Sequence, residues 1–264
     1  MIITNYHTHT TFCDGKNTAE EMVVSAIEKG LSEIGFSGHS PLDFDCSWTM
    51  KMEEIELYKK TIFDLREKYK DKIKIYVGIE QDYFSTTSTK GYDYVIGSVH
   101  YVYKNGKYLS VDTSAEEMKK FVEDEYNGDV YSYCEDYYKL VKDIYNKTKC
   151  QIIGHFDVVT KFNEVLPMID TSCDRYKKAV SDALSELLLT PAIFEINTGA
   201  ISRGYRTEAY PENYIIDRIA KSRKPFVVNS DTHNVDSIDC GLVAVYKMLE
   251  NKSYPYIRSL KEIL

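Results

Sequence analysis

No stretch of this 264-residue sequence approaches the roughly 20 consecutive apolar residues that a membrane-spanning helix needs. Basic clusters are missing too: 33 lysines and arginines, spread along the chain, face 41 acids for a net charge of −8. That balance argues against a broad electrostatic footprint for nucleic acid. The six cysteines (Cys13, Cys46, Cys134, Cys150, Cys173 and Cys240) form no Cys-x-x-Cys pair and no regular framework. The opening Met-Ile-Ile-Thr-Asn-Tyr-His leaves no room for a signal peptide, so the expectation is a cytoplasmic protein with reduced thiols. Pro/Gly/Ser-rich linkers, internal repeats and low-complexity tracts are also absent, which favours a single domain over 1–264.

The sequence does contain alternating β-rich and helical segments. Seven strand-like stretches are predicted, about 2–8, 33–38, 74–80, 93–99, 151–155, 192–197 and 226–230. Most are nearly continuous apolar runs, the pattern of strands buried on both faces of a parallel sheet. Thr18-Ala-Glu-Glu21 reads as a capping box opening a helix that ends at Gly30. Ile55, Tyr58, Ile62 and Leu65 mark a helical stripe within 51–70, and Val180, Leu184, Leu187 and Leu188 mark another within 174–189. Ile215, Ile216, Ile219 and Ala220 form a shorter one before Lys224-Pro225. Alternation from end to end implies a parallel sheet closed into a barrel. Two places depart from it. The third and fourth strands are joined by only about a dozen residues, barely enough for a crossover helix. An insert at about 101–149 opens with a hairpin signal at Asn105-Gly106 and continues with helical stretches around 114–127 and 131–148. The tyrosines of the second stretch read as packing residues.

All six histidines fall just past strand segments: His7 and His9 after the first, then His39, His100, His155 and His233. Active sites of parallel barrels lie at that end of the strands. Asp14, Glu80 and Asp231 fall there as well, and imidazole with carboxylate is the ligand set that Zn, Mn and Fe share. Residues two apart on a strand face the same way, so His7 with His9, His155 with Asp157, and Asp231 with His233 are expected to project together. A lone histidine is usually a hydrogen-bonded core residue and a lone Asp-Gly a turn. The coincidence at one end of successive strands carries the metal reading, with Cys13 as a further candidate ligand.

From His7-Thr-His9 to Asp231-Thr-His233, these motifs resemble the PHP (polymerase and histidinol phosphatase) superfamily over nearly the whole chain. The resemblance implies an α/β fold, a distorted seven-stranded (β/α)7 TIM-like barrel holding three divalent ions (Zn, Mn or Fe). It puts His7, His9, Glu80 and Asp231 on one ion. Glu80, His100 and His155 would hold a second, and Asp14, His39 and His233 a third. Some members carry histidine at the position of Asp14, a swap that would favour harder ions or lower the affinity of the third site. Residues 154–162 and 195–204 resemble stand-alone histidinol-phosphatases. The activity implied is hydrolysis of a small phosphorylated metabolite, L-histidinol phosphate, in histidine biosynthesis.

On that reading Glu80 and Asp231 are catalytic through bridging and charge balance. Asp157 either protonates the leaving alcohol or orients His155. Arg203 is the first candidate to bind phosphate, acting apart from the metal ligands, with Arg206 and Lys161 behind it. In the loop Ser40–Trp48, Asp43, Phe44, Asp45 and Trp48 would receive the ammonium and imidazole of the substrate. The alternatives are a nucleotide phosphatase or 3′–5′ exonuclease on the same scaffold, and an amidohydrolase barrel. The last usually bridges its metals with a modified lysine, where this chain has Glu80. A metal-binding module without activity would not need every ligand position filled.

Overall fold

The computed structural model of the protein describes residues 2–264. Seven parallel strands make one sheet: β1 (Thr4–Asn5), β2 (Glu33–Phe36), β3 (Lys74–Asp82), β4 (Tyr94–Ser98), β7 (Ile152–Ile153), β8 (Ile193–Asn197) and β9 (Phe226–Asn229), hydrogen-bonded in that order. Between β4 and β7, strands β5 (Tyr101–Lys104) and β6 (Lys107–Ser110) form a separate antiparallel hairpin. A parallel bridge between Thr8 and Thr232, with His9 N–H donating to Thr232 O at 2.9 Å, joins the two edges of the sheet. The result is a nearly closed, distorted (β/α)7 barrel.

All seven predicted strands are present, but β1 and β7 keep only two ladder residues each. Helices α1 (Ala19–Glu28), α2 (Ile55–Lys68), α5 (Asp174–Leu187) and α7 (Asn213–Lys221) follow the apolar stripes of the sequence. The Thr18–Glu21 capping box forms, and Gly30 takes φ +74° just past the helix end. Helix α8 (Leu242–Lys252), after β9, and the single turn α6 (Gly199–Ser202) lie outside the segments read from sequence. No helix joins β3 to β4, as the short connection requires. The insert contains the β5–β6 hairpin, with Asn105 at φ +48° and Gly106 at φ +82°, and then α3 (Ala115–Tyr126) and α4 (Val130–Thr148). Among the described residues no helix is long and apolar enough to cross a membrane.

The inner rows of the barrel change character along each strand. Alternate residues share a face: Tyr76, Gly78, Glu80 and Asp82 on β3; Tyr94, Ile96 and Ser98 on β4; Ile193, Glu195 and Asn197 on β8. At the strand starts Tyr6, Tyr76, Tyr94, Ile96, Ile152, Ile193 and Val227 pack into a small interior cluster with Ile257 and Leu260. A larger apolar core lies between sheet and helices. The glycines Gly35 and Gly78 leave room for the Tyr94 ring, which fills the space their Cβ atoms would need. Above this apolar floor the same rows supply carboxylates, and the polar end of the barrel begins.

Candidate metal centre

Glu80 is buried at the C-terminal end of β3 with histidines on both sides. Its Oε1 lies 2.9 Å from His155 Nε2 and 3.3 Å from His100 Nε2. Its Oε2 lies 3.2 Å from His7 Nε2, 3.7 Å from His9 Nε2 and 2.7 Å from His39 Nδ1. Asp231 turns Oδ1 to His9 Nε2 at 3.2 Å and His7 Nε2 at 3.6 Å. Farther out, Asp14 lies 3.5 Å from His39 Nε2 and 3.2 Å from His233 Nε2. Residues from six parts of the sequence thus converge on one cleft. Three groups bring ligand atoms close enough to share an ion: His9-Asp14-His39-His233, His7-His9-Glu80 and His39-Glu80-His100.

His39 faces both Asp14 and Glu80, so the group around Asp14 merges with the two around Glu80. Asp231 reaches its position with a left-handed backbone, φ +49°, a conformation that aspartate tolerates better than most side chains.

The cluster fits divalent ions because its inward atoms have no other partner. His7 Nε2, His9 Nε2, His39 Nδ1 and Glu80 Oε2 are buried and make no hydrogen bond. Leaving such atoms unsatisfied is costly, and a cation would satisfy several at once. Four outward ring nitrogens, by contrast, are held, while that of His155 is not. His7 Nδ1 meets Glu195 at 2.7 Å, His100 Nδ1 meets Asp82 at 3.0 Å, His9 Nδ1 meets Cys13 Sγ at 3.5 Å and His233 Nδ1 meets Asp231 O at 3.1 Å. Metal-ligating histidines are oriented in this way.

The charges balance locally. Burial disfavours the charged form of Glu80, but His7, His39 and His100 hold its pKa well below the ordinary carboxylate value. Asp231 is held low in the same way, by His7 and Arg203 against burial. Burial works against protonated His7 as well, yet Glu195, Glu80 and Asp231 raise its pKa well above the usual imidazole value. His9 is held well below it, by burial and by neighbouring His39 and His233.

Beyond the cluster the cleft opens to about 570 Å³, lined in part by Asp45, Trp48, Tyr101, Asp112, Lys161 and Arg203. Arg203 donates from Nη1 to Asp231 O at 3.0 Å and from Nη2 to Asp231 Oδ2 at 3.1 Å. It is therefore coupled to a candidate ligand, contrary to the expectation that it acts apart from the metals. Lys161 Nζ donates to Asp112 O at 2.7 Å and faces the same space. Three sequence expectations are corrected. Asp157 is fully buried away from the cleft, where its Oδ2 accepts from Glu212 N at 2.9 Å; His155 Nδ1 has no partner, so Asp157 neither orients that ring nor reaches the cleft. Arg206 lies outside the cleft too, donating to Thr160 Oγ1 at 2.7 Å beside Tyr210. Asp43 is exposed on the loop outside the cleft, and its neighbour Asp45 lines the wall instead, accepting from Tyr101 Oη at 2.6 Å. Sequence reasoning assigned no role to Glu195, Asp82, Tyr101 or Asp112. A lone acid within the apolar run Ile-Phe-Glu-Ile-Asn was the available signal for Glu195.

The PHP domain pattern matches residues 5–198, nearly three quarters of the sequence. This chain belongs to the PHP domain family. The match includes Glu80 and five of the histidines and stops short of Arg203, Asp231 and His233, which the barrel returns to the same cleft. A Deinococcus radiodurans protein named probable histidinol-phosphatase is 27% identical over 86% of this chain and 85% of its own length. A Bacillus subtilis histidinol-phosphatase is 25% identical over 88% of this chain and 94% of its own. The crystal structure of a Lactococcus lactis histidinol phosphate phosphatase, complexed with zinc, L-histidinol and phosphate, superposes with a TM-score of 0.74. That alignment covers 97% of this chain and 95% of the other at 19% identity, and it establishes likeness of fold.

Proposed function

We propose that this PHP-domain protein is a metal-dependent phosphomonoesterase that hydrolyses L-histidinol phosphate to L-histidinol and phosphate. The observation carrying this reading is the set of partnerless inward atoms around Glu80, with Arg203 opening onto the same cleft. His7, His9, Glu80 and Asp231 would hold one ion, and Glu80, His100 and His155 a second. Asp14, His39 and His233 would hold a third. Bound divalent ions supply Lewis-acid charge and lower the pKa of water toward about 7 in the most favourable case.

The chain's own groups do the rest. The planar guanidinium of Arg203 can bind two phosphoryl oxygens, and Lys161 adds a point charge on the same side. Asp231 holds Arg203 from two atoms, so the phosphate-binding group is fixed before substrate arrives. Asp45, Asp112, Trp48 and Tyr101 line the cleft with carboxylates and aromatic faces, suitable partners for an ammonium and an imidazole. The names of the relatives favour the same substrate.

The test is phosphate release with zinc or manganese present, comparing L-histidinol phosphate, nucleoside monophosphates and a short single-stranded oligonucleotide. Preference for L-histidinol phosphate is expected. Preference for a nucleotide substrate would overturn the substrate assignment and leave the metal centre standing.

A further inference from the structure

Glu195, on β8, is fully buried and accepts four hydrogen bonds. Oε1 accepts from His7 Nδ1 at 2.7 Å and Asn229 Nδ2 at 2.8 Å. Oε2 accepts from the His155 backbone N–H at 2.8 Å and Asn197 Nδ2 at 2.9 Å. Neither asparagine can turn its oxygen toward Glu195. Asn229 Oδ1 already accepts from Tyr6 N at 2.7 Å, and Asn197 Oδ1 from Gly199 N at 2.8 Å. Three of the four neighbours are therefore donors by necessity. Only His7 has a choice, because a neutral imidazole carries its proton on either nitrogen. An ionised carboxylate accepts and never donates, so His7 must carry a proton on Nδ1. Its Nε2 is left to face Glu80 Oε2 at 3.2 Å and Asp231 Oδ1 at 3.6 Å.

We infer that Glu195 is a positioning residue: it fixes the His7 tautomer that can ligate a metal and pins the backbone of His155 on the other side of Glu80. The inference rests on the metal reading of the cluster. Glutamine has the same shape but cannot do this work, since its amide brings two hydrogens to a point where four donors already meet. Turned toward His155, the amide opposes a backbone N–H that cannot change. Turned toward His7, it is accommodated only if His7 moves its proton to Nε2, which removes the lone pair from the cluster.

Two variants separate positioning from packing. Glu195→Gln places an amide beside Asn229, another donor. Glu195→Gln with Asn229→Asp supplies an acceptor there and keeps the buried negative charge, yet still leaves the introduced amide donating to His7. Zinc affinity by chelator competition, Tm of the metal-free proteins and imidazole ¹⁵N shifts are the readouts. Both variants should bind zinc about 10–100-fold more weakly. In both, metal-free His7 should carry its proton on Nε2 at alkaline pH. The double variant should recover Tm without recovering zinc affinity. Recovery of both together would overturn the inference, leaving Glu195 a packing role, and so would wild-type zinc affinity in Glu195→Gln. Zinc-loaded wild type should show His7 protonated on Nδ1; zinc on Nδ1 instead would also overturn it, with no variant needed. Failure of wild type itself to bind zinc would refute the underlying metal reading and this inference with it.

Discussion

Glu80 and Asp231 each work from both oxygens. Glu80 Oε1 faces His155 and His100 while Oε2 faces His7, His9 and His39, so Glu80→Ala removes contacts from two groups of ligands. Metal content and turnover should fall together in that variant; elemental analysis beside a phosphate assay checks it. Asp231 shares Oδ1 with the histidines and Oδ2 with Arg203, so Arg203→Ala should raise KM for the phosphoester and also weaken metal retention. Arg203→Lys should restore part of the retention and less of the KM, because one ammonium cannot make the two-point contact. Away from the cleft, burial and nearby Asp157 push the Glu212 carboxyl up to about 7 from an ordinary 4.5. A folded pKa above the unfolded one means that the folded state binds the extra proton, so stability is fully present below 4.5 and is lost as pH rises through about 7. Glu212→Gln should abolish that loss: the two proteins should have similar Tm in mild acid, and the variant the higher Tm above neutrality. The histidines and the three acids of the cluster were legible at this scale because residue type and position after a strand coincide. Asp157 was misread because alternation holds only within a strand, and β7 ends at Ile153. Glu195 escaped notice because its role depends on donors from three other segments.

Elements carry these groups to one end. The β5–β6 hairpin of the insert meets the loop after β2 through a stacked pair, Phe44 on Tyr108, with ring centroids 3.5 Å apart. Below it Trp48 Nε1 donates to Tyr101 Oη at 2.9 Å and Tyr101 Oη donates to Asp45. Trp48 in turn packs edge to face with His39, centroids 4.4 Å apart. Tyr101→Phe keeps the ring and loses both bonds, so a stability cost of about 1–2 kcal/mol is expected. A rise in KM with kcat little changed should accompany it, measured on L-histidinol phosphate. Within the barrel, Gly78→Ala would drive a methyl group into the Tyr94 ring. Overpacking of this kind costs about 1–3 kcal/mol, and thermal unfolding should report a lower Tm. Strands and helices were readable from apolar runs and stripes. On the wall of the cleft, Asp45 and Trp48 were readable from their place after His39, but Tyr101 was not, because it lies on a separate segment whose meeting with Trp48 depends on where the hairpin folds back.

Across the whole molecule the net charge is −8, and at the cleft Lys16, Lys161 and Arg203 face the carboxylates of Asp14, Asp45, Asp112 and Asp231. Closure of the barrel through Thr8 and Thr232 brings the first and last ligand motifs together, so His7 and His9 meet Asp231 and His233 from opposite ends of the sequence. The apolar floor formed by Tyr6, Tyr76 and Tyr94 separates the cluster from solvent at the other end. What the fold prepares is therefore a buried, partly anionic pocket of ligand atoms, open on one side to Arg203 and Lys161. Ions bound there would reverse its charge and draw an anionic substrate to a protein that is acidic overall. The measurement closest to this claim removes all divalent ions with a chelator and then restores zinc, manganese or iron(II) stepwise. Bound metal is counted and phosphate release from L-histidinol phosphate is followed at each step. The stripped protein should release none, and activity should return with metal, saturating at up to three ions per chain. Undiminished phosphate release by the metal-free protein would contradict the account.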